Sequence, residues 1–152
     1  GLSGFSDFAL GTQYCKVVTN GNDDGIGSLR FAIAQCSNPE DYIYIAEFID
    51  SIFLVSDTII LDKNLSIFHS GNEKVVIQTT SSSPVFKTNP GVLITLNNIE
   101  IHSGGVASSK ALLNNGNTIL WNVDIINSIP GEIPVMNTGI LEISETVQIK
   151  NQ

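Results

Sequence analysis

The chain of 152 residues is long enough for one domain, and its 42% hydrophobic and 14% charged residues exclude the composition of a disordered protein. Its formal net charge of −8 argues against nucleic acid or an anionic membrane surface as a partner, because both attract basic surfaces. Polar residues or glycine interrupt every apolar run well short of the roughly 20 residues that a transmembrane helix needs.

The first 14 residues stand outside the pattern of the rest of the chain. The run Phe-Ser-Asp-Phe-Ala-Leu-Gly at positions 5–11 resembles a terminal β-strand. We therefore expect residues 1–14 to form an ordered tail or the last strand of a preceding module. The chain starts without methionine and without a charged, apolar signal sequence, which is typical of an excised segment.

Residues 15–41 predict a cap made of a strand, a loop and a short helix. The run Val-Val-Thr at 17–19 favours a strand, and the turn-rich residues 20–27 follow it. Ser28 is a good N-cap for a helix over residues 29–35, whose apolar residues recur at the spacing of one helix face. A helix this short is not stable alone, so we expect it to cover the open end of a β structure.

The two cysteines of the chain, Cys15 and Cys36, lie at the two ends of this cap. In an oxidising compartment they could form a disulfide that closes the cap. Two unpaired, buried thiols that act as small apolar residues account for them equally well. The sequence leaves both alternatives open.

Closely spaced strands follow the cap and lead into a repeat. Strands are predicted over residues 42–48, 52–55, 58–61, 65–68, 75–78 and 84–87, with glycine and asparagine at the joints between them. We assign residues 42–152 to the coils of a solenoid, four or five in number. Because no capping segment follows the last strand, we expect the natural protein to continue.

The strongest pattern in the chain is a phrase that returns every 24 residues. It reads Leu-Asn-Asn-Ile-Glu-Ile at 96–101, Leu-Trp-Asn-Val-Asp-Ile at 120–125 and Ser-Glu-Thr-Val-Gln-Ile at 144–149. A period in the low twenties around a short, alternating strand is typical of a solenoid in which each repeat is one turn. The break in alternation at the asparagines indicates a corner between two faces of the turn.

One asparagine position at this corner recurs from coil to coil. Asn64, Asn98 and Asn122 each precede an inward-facing pair of strand residues, and Thr146 holds the same place in the last coil. Stacked asparagines can donate hydrogen bonds along the axis and satisfy the amides of a turn. We therefore predict a structural ladder at this corner and no binding site.

The cap resembles the N-terminal capping motif of bacterial right-handed parallel β-helix proteins. The resemblance lies in Val-Val-Thr-Asn at 17–20 and in Asp-Gly-Ile-Gly-Ser-Leu-Arg-Phe-Ala-Ile-Ala at 24–34, and it extends over residues 15–128. Phe31 departs from the motif, which usually has an acidic or polar residue there. The family contains secreted adhesins, autotransporter passengers and polysaccharide-degrading enzymes. The resemblance thus implies an all-β, short right-handed parallel β-helix with an N-terminal capping helix, in an extracellular or cell-surface location.

If the repeated phrases stack, Glu100, Asp124 and Gln148 form an outward column with neighbours about 4.8 Å apart. Two carboxylates at that distance could act in a retaining glycosidase or could hold Ca²⁺. Two solvated carboxylates on a surface strand are the simpler interpretation, because only His102 and Lys150 lie near them in the sequence.

Trp121 aligns with Asn97 at the corner, so we predict that it lies outside the core. It could be an exposed platform for a sugar ring or a protein contact, or it could pack beneath the loop at 129–134, which we favour. His69 and His102 have no cysteine nearby, and no zinc spacing exists. The sequence predicts no catalytic residue and no metal ligand.

Together these observations predict a non-enzymatic module of an exported bacterial surface protein. It would act as an adhesive or stalk β-helix that presents a surface to an extracellular glycan or protein, with flanking domains in a longer chain. Glu100, Asp124 and Trp121 are the candidate ligand-binding residues, and Ca²⁺ is the one cofactor considered. A polysaccharide hydrolase or lyase is the alternative, and a structural spacer is the second alternative.

Overall fold

The computed structural model of the protein describes residues 14–38, 41–144 and 146–151, with side chains from residue 17 onward. Its elements in chain order are β1 (Tyr14–Val18), α1 (Leu29–Gln35), β2 (Asp41–Ile45), β3 (Ser51–Leu54), β4 (Ile59–Leu61), β5 (Leu65–His69), β6 (Val75–Thr79), β7 (Phe86–Thr88), β8 (Leu93–His102), β9 (Leu112–Asn114), β10 (Asn117–Asn127), β11 (Val135–Asn137), β12 (Ile140–Ile143) and β13 (Gln148–Asn151). Every described strand pair is parallel.

The strands form three faces around a common axis. The first face contains β1, β2, β5, the first halves of β8 and β10, and β12. The second face contains β3, β6, the second halves of β8 and β10, and β13. The third face contains β4, β7, β9 and β11. Successive passes through the faces make a β-solenoid of about six turns, which confirms the predicted parallel solenoid. The expected number of four or five coils was too low.

Stacked aliphatic side chains fill the interior of the solenoid. Fully buried residues occupy matching register positions on the first face (Ile43, Ile67, Leu96, Leu120) and on the second face (Ile52, Ile77, Ile101, Ile125). Burying a side chain of this kind stabilises a fold by roughly 1.5–3 kcal/mol relative to leaving it exposed. Alternation along each strand therefore turns one set of side chains into this shared interior and the other set outward.

The capping helix α1 begins and ends where the sequence predicts. The Ser28 hydroxyl accepts a hydrogen bond from the Phe31 amide at 3.1 Å, as an N-cap does. The apolar side of α1 is buried and packs against β1 and β2, so the helix covers one end of the core. The strand before it begins earlier than predicted, at Tyr14, and ends at Val18.

Part of the predicted cap cannot be compared with the structure. Residues 1–13 lie outside the described residues, so the expected tail or preceding strand stays a prediction. Cys36 is buried at the C-cap of α1, whereas the side chain of Cys15 lies outside the described part of β1. The disulfide between them stays a prediction as well.

An asparagine ladder forms at the corner between the first and second faces. Asn98 and Asn122 both adopt positive φ angles, 59° and 51°, and the Asn122 amide donates to the Asn98 side-chain oxygen at 2.8 Å. Asn64 does not belong to this ladder, and its side-chain oxygen accepts from the Leu93 amide on the first face. Because Leu65 pairs with Ile94 and not with Ile99, Asn64 lies beside Leu93 at the start of the first face, one corner before the ladder.

Two further polar ladders line the other corners. After the third face, the Thr88 hydroxyl donates to the Asn114 oxygen, and the Asn114 amide donates to Asn137 at 2.7 Å. After the second face, the Ser103 hydroxyl donates to the Asn127 oxygen at 3.0 Å. All three corners thus contain hydrogen bonds between successive turns, although the Asn127 amide nitrogen is buried without a partner.

Candidate functional site

The predicted carboxylate column exists on the second face. Parallel pairing places Glu100 beside Asp124 and Asp124 beside Gln148, in the order that the 24-residue phrase predicts. On the other side of Glu100 the neighbour is Val76, so the column contains two carboxylates among the described residues. The stacking is confirmed, and the binding role of the column stays a prediction.

Each carboxylate of the column contacts a basic side chain. The ammonium of Lys74 lies 2.7 Å from Asp124 Oδ1, although it does not approach that oxygen in hydrogen-bond geometry. The His102 ring contacts Glu100 through Nε2 and Oε1. The loop that brings Lys74 over the column leaves Asp124 only 8% exposed, so Asp124 is much less solvated than a surface strand residue. A cation at Asp124 would have to displace the Lys74 ammonium.

These groups line an open cleft of about 370 Å³ on the second face. Its lining residues are Asn72, Glu73, Lys74, Glu100, Asn122 and Asp124. In the part of the chain that the structure describes, no three His, Cys, Asp or Glu side chains are grouped so that they could hold a metal ion. The cleft therefore offers three carboxylates, the Lys74 ammonium and two side-chain amides for contacts with a polar ligand.

The cap loop holds a further carboxylate, Asp23, which serves the fold. Its Oδ1 accepts from Arg30 Nη2 at 2.8 Å, and its Oδ2 accepts from the backbone amide of Ser56 at 2.8 Å. Burial raises the pKa of Asp23, but the hydrogen bonds from Ser56 and Arg30 and the charge of Arg30 outweigh burial and hold the pKa below its usual value. The charged carboxylate of Asp23 thus connects the cap to the first complete turn, and we call its contacts with Arg30 and Ser56 the clasp.

Trp121 lies at the corner beside Asn97 on the adjacent strand, as the sequence predicts, and its side chain is 54% exposed. The expected packing beneath the loop at 129–134 is therefore wrong. Trp121 borders a shallow hollow of about 450 Å³ with Ile143, Ser144 and Thr146. The small hydroxyl residues of the next coil leave the indole open to solvent, which makes it available for contact.

Trp121 belongs to an outward row on the first face that the repeat phrase did not reveal. Pairing aligns Tyr44 with Phe68, Phe68 with Asn97, and Asn97 with Trp121. Three of these four consecutive positions are aromatic, and we call the four residues the aromatic row. The alternation of aromatic and buried aliphatic residues in β2 and β5 was the signal that could have found it.

Ring contacts fix one end of the aromatic row. The Tyr44 and Phe68 rings meet edge to face, with centroids 5.3 Å apart and an interplanar angle of 73°. Tyr42, which is exposed, packs against the same Phe68 ring at 6.4 Å and 77°. Edge-to-face pairs of this geometry are favourable beyond the area that they bury. The rings therefore have defined orientations before any ligand arrives.

The outward positions of the first face on β2, β5, β8 and β10 carry no charged side chain, and on the next strand, β12, the exposed Glu142 lies beside Ile119. The outward residues of the first face on these four strands are Tyr42, Tyr44, Ser66, Phe68, Leu93, Thr95, Asn97, Asn117, Ile119 and Trp121. A notch of about 120 Å³ lies beside the row, with Asn64, Ser66 and Thr95 among its lining residues. The charged side chains of the carboxylate column lie instead on the second face.

The three faces of parallel strands, the polar ladders at the corners and the capping helix define this protein as a parallel β-solenoid. Comparison of the chain with protein-family models, curated proteins and solved structures gave no match. Among the described residues, no helix has the length and apolar character needed to cross a membrane. The assignment to the solenoid class thus rests on the strand pairing itself.

Proposed function

We propose that this chain is a non-enzymatic binding module of an exported bacterial surface protein. As an adhesive or stalk β-solenoid, it presents its first face to an extracellular glycan or protein. The observation that carries the proposal is the aromatic row with its exposed Trp121. Tryptophan and tyrosine are enriched at the centres of binding surfaces, because their rings supply large contact areas with little loss of conformational freedom.

The aromatic row argues for binding rather than for a simple spacer. A spacer needs only a polar exterior, whereas a half-exposed indole in line with two further rings adds apolar surface that stays in contact with water. Apolar surface of this kind marks contact sites in soluble proteins. The exported location is supported by the Ser-Leu-Arg capping motif at 28–30 and by the weakly charged exterior.

A polysaccharide hydrolase or lyase is a second candidate, which the adjacency of Glu100 and Asp124 favours. Retaining glycosidases hold two carboxyl groups about 5 Å apart, close to the spacing of adjacent strands. Lys74 and His102, however, already contact the two carboxylates, and Glu73, the third acid that lines the cleft, does not form with them a group that could hold a metal ion. We therefore rank binding above catalysis.

A combined array of glycans and extracellular matrix proteins tests the proposal, with an assay for sugars released from every hit. We expect retention of the wild-type protein without sugar release, and a loss of retention in Trp121→Ala. Phe53→Ala is the matched control, because Phe53 is 52% exposed but lies on the second face. Equal retention of both variants would contradict the proposal, and sugar release would favour the hydrolase or lyase.

A further inference from the structure

We infer that the first face binds an uncharged glycan chain that lies along the solenoid axis, across Phe68, Asn97 and Trp121. This inference rests on the proposed function and names the class of ligand for the same face. It also assigns contact roles to Tyr44 and Phe68, which the repeat phrase does not include. Three features of the face carry it: its chemistry, its shape and its rigidity.

The chemistry of the face matches that of a neutral sugar. Sugar rings present C–H faces that pack on aromatic rings, and they present hydroxyl groups that exchange hydrogen bonds with amides and hydroxyls. Phe68 and Trp121 supply the rings, and Asn97 between them supplies an amide. The ten outward residues defined above include no Lys, Arg, Asp or Glu, and the neighbouring Glu142 on β12 is an anion, so nothing there would pair with a carboxylated or sulfated polymer.

Hydroxyl and amide groups flank the aromatic row on one side. Ser66 and Thr95 are neighbours on adjacent strands, two residues before Phe68 and Asn97. Together with Asn64 they line the notch beside Tyr42. A ring that stacks on the row would therefore have polar groups at its edge. Neutral ligand sites combine apolar platforms with a few polar groups in this way.

The shape of the row favours a linear polymer over a globular protein. Tyr44 and Trp121 are three strand spacings apart, about 14 Å at about 4.8 Å per spacing. The row is one side chain wide and runs along the axis. A stable protein interface of standard size covers about 800 Å² on each partner, whereas an extended sugar chain needs only such a narrow track.

The rigidity of the row lowers the cost of ordering it upon binding. Tyr44 and Phe68 are held edge to face, and each strand of the row is hydrogen-bonded to its neighbours. A contact surface whose side chains are already ordered loses less entropy when the ligand binds. A flexible surface would need further contacts to reach the same affinity.

Affinity electrophoresis with soluble polysaccharides tests this inference on the wild-type protein, Trp121→Ala and the control Phe53→Ala. The neutral probes are mixed-linkage β-glucan, galactomannan and dextran, and the acidic probes are alginate and polygalacturonate. We expect at least one neutral probe to retard the wild-type protein and Phe53→Ala equally. Trp121→Ala should bind that probe about tenfold more weakly. Neither acidic probe should retard any of the three proteins.

Fluorescence gives an independent readout on the wild-type protein, because Trp121 is the single tryptophan of the chain. Neutral oligosaccharides of increasing length, prepared from the retarding polysaccharide, should change its emission. The affinity should rise with length until the sugar spans the aromatic row and should then level off. Full affinity for the disaccharide would contradict a chain that lies along the axis.

Four outcomes would overturn the inference, and they differ in what they say about the proposed function. Retardation by acidic probes alone, abolished by salt, would assign binding to a charged surface. Equal binding of a neutral probe by Trp121→Ala and Phe53→Ala would place the glycan elsewhere. If no polysaccharide binds but a matrix protein is captured through Trp121, the glycan inference fails and the adhesive function stands. If neither panel binds, both fail.

Discussion

The side-chain amide of Asn122 donates a hydrogen bond to the side-chain oxygen of Asn98 on the preceding turn, at 2.8 Å. The Asn98 amide in turn lies within 2.7 to 3.2 Å of three carbonyl oxygens, those of His69, Gly71 and Glu73. The Asn98 side chain therefore holds the loop at 69–73, which joins the first and second faces of the preceding turn. The bond from Asn122 connects Asn98 to the following turn. Its positive φ of 59° is tolerated by asparagine better than by most residues.

The first prediction separates the two roles of Asn98. Asn98→Gly keeps the positive φ accessible but removes the amide, whereas Asn98→Ala removes the amide and also strains the backbone. We expect Asn98→Gly to lower the free energy of unfolding by about 2 kcal/mol and Asn98→Ala to lower it by about 1 kcal/mol more. Urea denaturation followed by circular dichroism measures both. The control is Asn97→Ala, because Asn97 is exposed; equal losses at positions 97 and 98 would contradict this account.

The second prediction concerns the clasp between the cap and the solenoid. Asp23→Asn removes a charged acceptor of bonds from Arg30 and Ser56, and should lower the free energy of unfolding by about 1–3 kcal/mol. Asp24→Asn is the control, because Asp24 is an exposed residue of the same loop. Urea denaturation at pH 7 compares the two variants. An Asp24→Asn loss as large as that of Asp23→Asn would rule out a specific role for the clasp.

The third prediction follows from the lowered pKa of Asp23, whose unfolded-state value is near 3.8. Because the folded state favours the charged carboxylate, the clasp stabilises the protein fully above the unfolded-state pKa. That stabilisation should be lost as the pH falls from about 4 through the folded-state pKa. The difference in stability between the wild-type protein and Asp23→Asn should therefore stay constant from pH 7 to about 5 and shrink below about 4. A difference that grows at acidic pH would refute the assignment.

The fourth prediction is a double-mutant cycle on Lys74 and Asp124. Lys74→Met leaves the largely buried Asp124 carboxylate without its cation and should be more destabilising than Asp124→Asn, which leaves a lysine that can turn towards water. The double variant should be more stable than Lys74→Met alone. Free energies of unfolding for the four proteins give the coupling. If the effects of the two substitutions simply add, the contact contributes no measurable coupling.

The fifth prediction addresses the hydrolase alternative. Glu100→Gln combined with Asp124→Asn should leave the protein folded, because both substitutions keep the shapes of the side chains and neither residue lies in the aliphatic interior. Circular dichroism checks the fold, and a reducing-sugar assay checks cleavage. Should the wild-type protein cleave a polysaccharide, cleavage that survives the double change would exclude this column as its catalytic site.

The features that depend on local chemistry were predictable from the sequence. Ser28 and the apolar spacing after it define the helix, because a cap and a helical face are short-range patterns. The stacking of Glu100 on Asp124 was predictable because the repeated phrase returns after 24 residues, and one turn of the solenoid at this point also contains 24 residues. Where the period is constant, the sequence alone gives the register.

The features that depend on uneven turn lengths were not predictable. The 29-residue coil before Ile94 hides the alignment of Phe68 with Asn97, so the aromatic row cannot be seen at a fixed interval. Lys74 reaches Asp124 from a loop whose path only the fold determines. Asn64 shows the same limit, because an identical residue type beside a strand does not establish an identical position in the turn.

Parallel pairing around one axis also determines how this protein responds to force. The backbone hydrogen bonds between turns lie along the axis, so a pull on its two ends loads those bonds end-on and peels turns away one after another. A pull across the axis instead loads many bonds of a strand together, in shear. The hydrogen bonds that Arg30 donates to the carbonyl oxygens of Asp57 and Thr58 strengthen the capped end against this axial peeling. When the protein is pulled by its capped end, it should therefore resist a higher force with Arg30 present than in a variant that lacks this side chain.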